Sequence, residues 1–366
     1  MTFRERTLRI FRRQPVDNVV YQPRIEHWYN VNKRDGTLPP RYRDMSLLQV
    51  FDDLGCSIRT YGFFNPCVKY SYGPEFKSES VRKDGMLITR WTTPVGSVET
   101  HQVFTPLAHR TVKYPIELPQ DAKVIEWMLR DRAVSFDMEL FAKNDALVGD
   151  RAAPMIYIPR VNMQRLFIEF MGYENTIFAL HDDPRLIELL VKVIDETDDA
   201  ILEVVAKCPV ELINFGDNLD QNMLSPPLLE RFVLPAYYHR IERLRAAGKY
   251  TFAHWDGSCK LYLPYARASR LDGIEALTPI PQGDVTIEEI KEALGDIILL
   301  DGIPMTYFLP HEDYREFEAV TRRVIETFSP NLILGVSDEP SPVCDIERVR
   351  RVAEILKEYE RPGAKD

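Results

Sequence analysis

The chain has 366 residues, of which 45% are hydrophobic and 28% charged, and its formal net charge is −10. This balance is typical of a globular protein with a large core, and it argues against a disordered chain. A negative net charge without a basic stripe argues against a nucleic-acid partner. Five scattered cysteines and the lack of a long uncharged apolar run predict a cytoplasmic protein with neither disulfides nor a membrane partner.

The first 120 residues show the least regular pattern. Thr2 to Arg13 predicts a helix, and the aromatic-rich segment from Arg24 to Asn65 predicts a cap over one end of the domain. Asp84 to Phe104 predicts a β-hairpin, because two alternating runs flank a turn at Pro94-Val95-Gly96. We interpret this hairpin as an insertion beside an early strand.

The second half alternates short apolar runs with amphipathic helical patterns, which is typical of βαβ units and a parallel sheet. Helices are predicted at Pro226 to Ala247 and Arg315 to Phe328, and another helix begins after Thr286. The predicted strands are Val210 to Phe215, Tyr250 to His254, Gly273 to Leu277, Asp296 to Leu300 and Asn331 to Gly335.

The regular spacing of these units favours a closed (β/α)8 TIM barrel, an α/β fold, over an open sheet with helices on both faces. We assign residues 1–366 to a single domain. Within it, residues 1–120 hold the N-terminal cap, the early barrel and the hairpin insertion, and residues 121–360 hold the main barrel. A monomer and a homodimer both agree with the sequence.

Polar residues follow the predicted strands at their carboxyl ends, where barrel enzymes place their catalytic groups. These residues are Asp217 and Asn218, His254 and Asp256, Glu275, Asp301, and Asp338. One imidazole among several carboxylates needs protons or a cation to offset the repulsion. The sequence therefore predicts a divalent metal, with zinc first and manganese or iron as alternatives, held by His254, Asp256, Glu275 and Asp338.

The remaining candidates have catalytic or substrate-binding roles. Asp217, His254 and Glu275 are the predicted catalytic residues, and Asn218 is predicted to contact the substrate. Tyr61, Phe63 and Asn65 are predicted to shape an apolar pocket wall, and Arg24 with His27 to meet an anionic substrate group. Each of these residues also has a purely structural interpretation, such as a hydrogen-bonded core histidine, a turn carboxylate or an aromatic plug.

Several stretches give the chain a family resemblance. They are Phe215-Gly-Asp-Asn-Leu219, Ser225-Pro-Pro-Leu-Leu-Glu-Arg-Phe-Val-Leu-Pro235, His254-Trp-Asp-Gly257 and Leu332-Ile-Leu-Gly-Val-Ser-Asp338. From Pro209 to Tyr359 the chain resembles the uroporphyrinogen decarboxylase superfamily, and particularly its corrinoid and coenzyme M methyltransferase branch. The resemblance implies a (β/α)8 barrel.

The zinc-dependent branches of that superfamily carry His-x-Cys at one strand end, a Glu after the next strand in the related synthases, and a second Cys at the last strand. This pattern maps onto His254, Asp256, Glu275 and Asp338, and it implies a metal that activates the methyl acceptor. Both cysteine positions are Asp in this chain, which argues against thiolate-bound zinc. The decarboxylase motif Arg-Gln-Ala-Gly-Arg-Tyr is replaced by Gln22-Pro-Arg-Ile-Glu-His-Trp-Tyr29.

The leading functional hypothesis is a metal-assisted methyltransferase that moves a methyl group between a small methylated substrate and a corrinoid protein or similar carrier. An O-methyl aromatic compound would suit the aromatic N-terminal segment. The alternatives are a metal-assisted decarboxylase or lyase that acts on a small carboxylated substrate, and a non-catalytic barrel that only binds its ligand.

Overall fold

The computed structural model describes residues 1–105 and 108–359. The strands are β1 (Val20–Tyr21), β2 (Val68–Ser71), β3 (Lys77–Lys83), β4 (Met86–Thr93), β5 (Gly96–Phe104), β6 (His109–Lys113), β7 (Ala133–Phe136), β8 (Met155–Tyr157), β9 (Leu212–Asn214), β10 (Tyr250–His254), β11 (Gly273–Glu275), β12 (Ile298–Pro304) and β13 (Leu332–Ser337). The helices are α1 (Phe3–Phe11), α2 (Glu26–Asp35), α3 (Leu47–Leu54), α4 (Tyr61–Phe64), α5 (Ala122–Asp131), α6 (Met138–Val148), α7 (Asn162–Arg165), α8 (Tyr173–Asp182), α9 (Pro184–Lys207), α10 (Pro226–Leu228), α11 (Leu234–Ala246), α12 (Ile287–Leu294), α13 (Tyr314–Phe328) and α14 (Ile346–Glu358). In the part of the chain that the structure covers, no helix is both long and apolar enough to cross a membrane.

Seven strands form one parallel sheet in the order β1-β13-β12-β11-β10-β9-β8. The eighth wall position, between β1 and β8, is taken by residues 57–60. The backbone N–H of Ser57 donates to the carbonyl of Tyr21 at 2.8 Å, and the hydroxyl of Thr60 accepts from the N–H of Met155 at 2.8 Å. These contacts close the wall, and the predicted (β/α)8 barrel is confirmed.

The regular second half matches its prediction closely. Strand β10 has the predicted bounds, whereas β12 runs on to Pro304. The helix predicted from Pro226 is present from α10 to α11, with a π-helical turn at Leu229–Val233 between them. Thr286 caps α12 as predicted, since its hydroxyl accepts from the N–H of Glu289 at 3.1 Å.

The predicted hairpin is confirmed as β4 and β5, but it belongs to a larger unit. Strands β3 and β6 flank it in an antiparallel sheet of order β3-β4-β5-β6, and β2 pairs with β7 in a separate antiparallel ladder. On the inner face of the larger sheet, Trp91 packs against the core and its cross-strand neighbour Val98 is buried. Arg90 and Glu99 form an ion pair on the outer face, because neighbouring residues of a strand point to opposite sides.

The barrel interior changes from apolar to polar along its strands. Leu212 and Phe252 face inward and join a buried cluster with Ile10 and Phe11 of α1, which closes the amino-terminal end. Two residues further along β9 and β10, where side chains return to the same face, stand Asn214 and His254. The polar side chains at the carboxyl end therefore rest on an apolar floor, which fixes their positions.

Candidate active site

The centre of the site is the carboxylate of Glu275, which is fully buried. The parallel register pairs His254 with Glu275, and the imidazole Nδ1 lies 2.9 Å from Glu275 Oε2. The amide of Asn214 donates to the same oxygen at 2.8 Å. The other oxygen, Oε1, accepts from the hydroxyl of Tyr61 at 3.2 Å and from the guanidinium of Arg59. Both oxygens of Glu275 are thus fully engaged by protein donors.

Arg59 also binds a second buried carboxylate. Its Nη2 donates to Asp301 Oδ1 at 2.6 Å, and the Arg59 side chain is only 2% exposed. Gly335 on the neighbouring strand leaves room for Asp301, because a Cβ at that position would overlap Oδ1. One guanidinium therefore bridges two carboxylates in the interior, where an unpaired charge would be costly.

The surroundings of His254 determine its protonation state. Burial lowers the pKa of the imidazole below its ordinary value, so His254 is neutral near pH 7. Because Glu275 can only accept, Nδ1 carries the proton and Nε2 is left with a free lone pair. Asp256 Oδ2 lies 3.8 Å from Nε2, beyond hydrogen-bond distance, so its carboxylate can stabilise the imidazolium once Nε2 takes up a proton.

A cavity of about 490 Å³ opens above this pair. It is lined by Arg24, Asn65, Val68, Tyr70, Tyr157, Ile158, Pro159, Arg160, Glu169, Gly216, Asn218, His254, Asp256, Asp338 and Glu339. These residues come from both halves of the chain, and His254, Asp256 and Asp338 meet here as the barrel topology predicts. The volume is within the range of small-molecule pockets.

Arg24 places a cation in this cavity. Arg24 is 9% exposed, and its Nε and Nη2 have no hydrogen-bond partner among residues 1–105 and 108–359. Nη2 lies 3.6 Å from Asp338 Oδ1, which is an ion pair without a hydrogen bond. Burial opposes the charge, but the carboxylates of Asp301 and Asp338 outweigh it and raise the pKa of Arg24. Free donors on a buried cation are suited to binding an anionic group.

The predicted metal set does not fit this arrangement. Glu275 is bound to Arg59 and lies below the cavity, so it offers no free oxygen. Within the described residues, no three His, Cys, Asp or Glu side chains are placed to hold a metal ion together. The positive charge that the sequence assigns to a metal is supplied to Glu275 and Asp301 by Arg59.

Asp217, a predicted catalytic residue, does not line the cavity. It is fully buried; its Oδ1 accepts from the N–H of Val161 at 2.8 Å and its Oδ2 from the hydroxyl of Tyr237 at 2.9 Å. Burial raises the pKa of Asp217 to about 6. With both oxygens engaged, Asp217 stabilises the loop after β9 instead of meeting a substrate.

The predicted substrate-binding residues divide into two groups. Asn65 and Asn218 line the cavity, as does Arg24. Tyr61 lies beneath it, stacked on Tyr157 with ring centroids 3.7 Å apart. Phe63 packs against the core and His27 is half-buried, and neither lines the cavity. Tyr61 and Phe63 differ in position because both belong to the short helix α4, and residues two apart in a helix lie on opposite sides.

Sequence reasoning missed Arg59, Asn214 and Tyr157. A signal for Arg59 does exist, since it is the only charged residue between Asp53 and Lys69, in a stretch of apolar and small side chains. A lone arginine in such a stretch is buried only when it is paired. Its partners, however, lie more than 200 residues away in sequence.

Comparisons with known proteins agree with the barrel fold. The model of the family described as uroporphyrinogen decarboxylase (URO-D) matches residues 166–359, which is more than half of the chain. The chain therefore belongs to the uroporphyrinogen decarboxylase family. No curated protein matches the sequence.

A solved structure of a methyltransferase from Methanosarcina mazei resembles this chain with a TM-score of 0.63. The superposition covers 98% of this chain and 99% of the methyltransferase, at 12% sequence identity. Because the identity is so low, this likeness is evidence for the fold only.

Proposed function

We propose that the chain is a methyltransferase that moves a methyl group between a small, negatively charged substrate and a corrinoid protein or similar carrier. The observation that supports it best is the neutral His254, held by Glu275 with its free Nε2 at a cavity. An oriented, neutral imidazole is a general base suited to pH 7. When bound, a corrinoid supplies the centre that carries the methyl group.

His254 would manage the proton that accompanies methyl transfer. When the small molecule is methylated, its heteroatom–hydrogen bond breaks, the proton passes to Nε2, and the freed electron pair forms the bond to the methyl carbon. The bond between the methyl carbon and the carrier would break at the same time, and its electron pair would stay on the carrier. The imidazolium that results lies between Glu275 and Asp256, whose charges stabilise it. In the reverse direction the proton returns from Nε2 to the oxygen that loses the methyl group.

Arg24 and the aromatic wall suggest the class of the small molecule. The free nitrogens of Arg24 can bind a carboxylate in the same cavity as His254. Tyr70, Tyr157 and Val68 add apolar surface to the wall. An O-methyl aromatic acid combines an anionic group, a flat ring and a methyl group on oxygen, and it is the substrate class that we propose.

A spectroscopic assay tests this proposal. The purified chain is mixed with reduced cobalamin and a panel of methoxybenzoates, and methylation of the corrinoid is followed by its visible spectrum. We expect methylation with at least one substrate, and its loss in His254→Gln. A fully folded protein that gives no methylation with methoxyaromatic, methylamine or methylthiol panels would refute methyl transfer.

Decarboxylation is a second candidate, and the unpaired nitrogens of Arg24 favour it because they could hold a carboxylate near His254. In that reaction the bond to the carboxylate carbon breaks, its electron pair stays on the substrate carbon, and a proton replaces carbon dioxide. Release of carbon dioxide without any methyl acceptor would distinguish this reaction from methyl transfer. Binding without either product would support a ligand-binding barrel.

A further inference from the structure

A second, larger cavity lies beside the active-site cavity. We call it the insertion cleft; its volume is about 1100 Å³, and it lies between the inner face of the β3–β6 sheet and residues 168–175. Trp91, Tyr114, Phe170 and Tyr173 place aromatic side chains along it. The hydrogen-bonding side chains of Thr100 and Gln102 stand on the same sheet face as Trp91.

The insertion cleft adjoins the active-site cavity. Arg160 and Glu169 line both spaces, so these two side chains form their common wall. Arg160 Nη1 lies 3.6 Å from Glu169 Oε1, beyond hydrogen-bond distance, and both side chains are about one-third exposed. Glu169 is also held by Arg165, whose Nε donates to Glu169 Oε2 at 3.1 Å. The Arg160 side chain is therefore the movable part of the wall, and parting it from Glu169 breaks only a partly exposed ion pair, at little cost.

We propose that the insertion cleft binds the distal aromatic part of an extended substrate whose acidic head lies beside Arg24. This inference rests on the proposed anion site in the active-site cavity. The combined volume of the two spaces exceeds what a small methylated acid would fill. Aromatic walls with a few hydrogen-bonding groups favour a flat ring that carries polar substituents.

The insertion itself acquires a role in this arrangement. Strands β3 to β6 are not part of the barrel wall, and their inner face forms one side of the insertion cleft. Trp91 packs against the core at one end of this face, and Thr89 and Thr100 line the insertion cleft beyond it. The sheet thus determines how far from His254 a substrate can extend.

A series of phenylalkanoates tests the inference, because each member joins a carboxylate to a phenyl ring through a longer chain. Affinities of the full chain for phenylacetate through 8-phenyloctanoate are measured by titration calorimetry. We expect the affinity to rise by roughly tenfold at one chain length, where the phenyl ring reaches the aromatic wall. We call this rise the step; without the insertion cleft, the affinity would increase uniformly with each added methylene.

Two variants test whether the phenyl ring of the phenylalkanoate binds in the insertion cleft. Thr100→Trp places an indole ring inside the insertion cleft, where the phenyl ring would bind, and is expected to abolish the step. Trp91→Ala is expected to reduce the step about threefold or more. Arg90→Ala is the matched control, since Arg90 neighbours Trp91 on β4 and faces the opposite side of the sheet. It should leave the step unchanged, and circular dichroism confirms that each variant is folded.

The outcomes separate the two proposals. A step that disappears in Thr100→Trp and persists in Arg90→Ala supports the insertion cleft as a binding site. No step, or the same step in Thr100→Trp, overturns it. Phenylacetate reports on the head site alone, so a phenylacetate affinity that is unchanged in Arg24→Gln counts against the proposed anion site and leaves the result of the length series to stand by itself.

Discussion

The two halves of the chain contribute to the site in different ways. The regular half, from β9 to β13, supplies the imidazole and most of the acidic groups: His254, Asp256, Glu275 and Asp338 at or just after strand ends, and Asp301 within β12. The irregular half supplies two buried arginines of the site, Arg24 and Arg59, and the stacked rings of Tyr61 and Tyr157.

This division shows how a repeated fold becomes a specific site. The βα repeats bring acidic groups to one rim, where their mutual repulsion would destabilise the barrel. Arg59, on the segment that occupies the eighth wall position, offsets that repulsion for Glu275 and Asp301. The irregular half is therefore a component of the candidate active site.

The largest expected effect comes from removing the buried guanidinium of Arg59. Arg59→Met keeps the apolar stem but leaves Glu275 and Asp301 without their common partner, and it should lower the free energy of unfolding by about 3–5 kcal/mol. Urea denaturation at pH 7 measures the change. Arg231→Met is the control from the regular half, because Arg231 pairs with Glu188 and both side chains are more than half exposed. Loss of this exposed ion pair should lower the free energy of unfolding by less than about 1 kcal/mol.

Equal effects of the two substitutions would contradict the role given to Arg59. They would mean that Glu275 and Asp301 are compensated by another charge, such as a bound cation. Metal analysis of the purified protein would then decide between Arg59 and the metal that the sequence predicts.

The second prediction concerns the imidazole. Glu275→Gln removes the carboxylate that holds the Nδ1 proton of His254, so the neutral ring is no longer kept with Nε2 free. We expect kcat of the proposed reaction to fall by about 10²- to 10⁴-fold, with KM changed far less. Steady-state kinetics measure this, and Asn65→Ala is the comparison, because Asn65 lines the cavity and should alter KM more than kcat. A change in KM alone for Glu275→Gln would assign Glu275 to substrate binding.

The third prediction uses the pH dependence of stability. Burial raises the pKa of Asp217 from 3.8 to about 6. Between these values the folded state keeps a proton that the unfolded state has lost, so the contribution of Asp217 to stability falls as pH rises from about 4 to 6. The difference between the folded and unfolded pKa of Asp217 corresponds to a loss of about 3 kcal/mol in the free energy of unfolding, at 1.4 kcal/mol per pKa unit.

Asp217→Asn should remove this slope, since an amide cannot ionise and can still accept from the N–H of Val161. The measurement is the free energy of unfolding at pH 4.5 and 7.5 for both proteins. A variant with the same pH dependence as the wild-type protein would show that Asp217 is ionised in both states.

The sequence predicted what depends on local pattern and missed what depends on distant contacts. His254 and Glu275 were found because each lies in a short apolar run of the regularly spaced half. Strand β3 was missed because Lys-Ser-Glu-Ser-Val-Arg-Lys is exposed throughout and shows no apolar alternation. Strands β1 and β8 have only two and three residues, too few for any periodicity.

Arg59 was missed for a different reason. Its ion pairs span 216 and 242 residues of sequence, and they depend on which strands become neighbours when the barrel closes. The lone charge of Arg59 in an apolar stretch indicates that it is buried and paired, but local sequence does not indicate which carboxylates it meets. Arg59 supplies the positive charge beside Glu275 and Asp301, and a metal at the rim stays a prediction.

The smallest expected effect compares helix caps from the two halves. Thr286 and Ser46 both form capping boxes, with Glu289 in the regular half and with Gln49 in the irregular half. The hydroxyl of Thr286 accepts from the N–H of Glu289 at 3.1 Å, whereas that of Ser46 accepts from the N–H of Gln49 at 3.4 Å. Thr286→Ala should therefore lower the free energy of unfolding by about 1 kcal/mol, and Ser46→Ala by about half as much. Thermal and urea unfolding of the two variants measure the difference. A larger loss for Ser46→Ala would show that the irregular half depends more strongly on its local capping than the barrel repeats do.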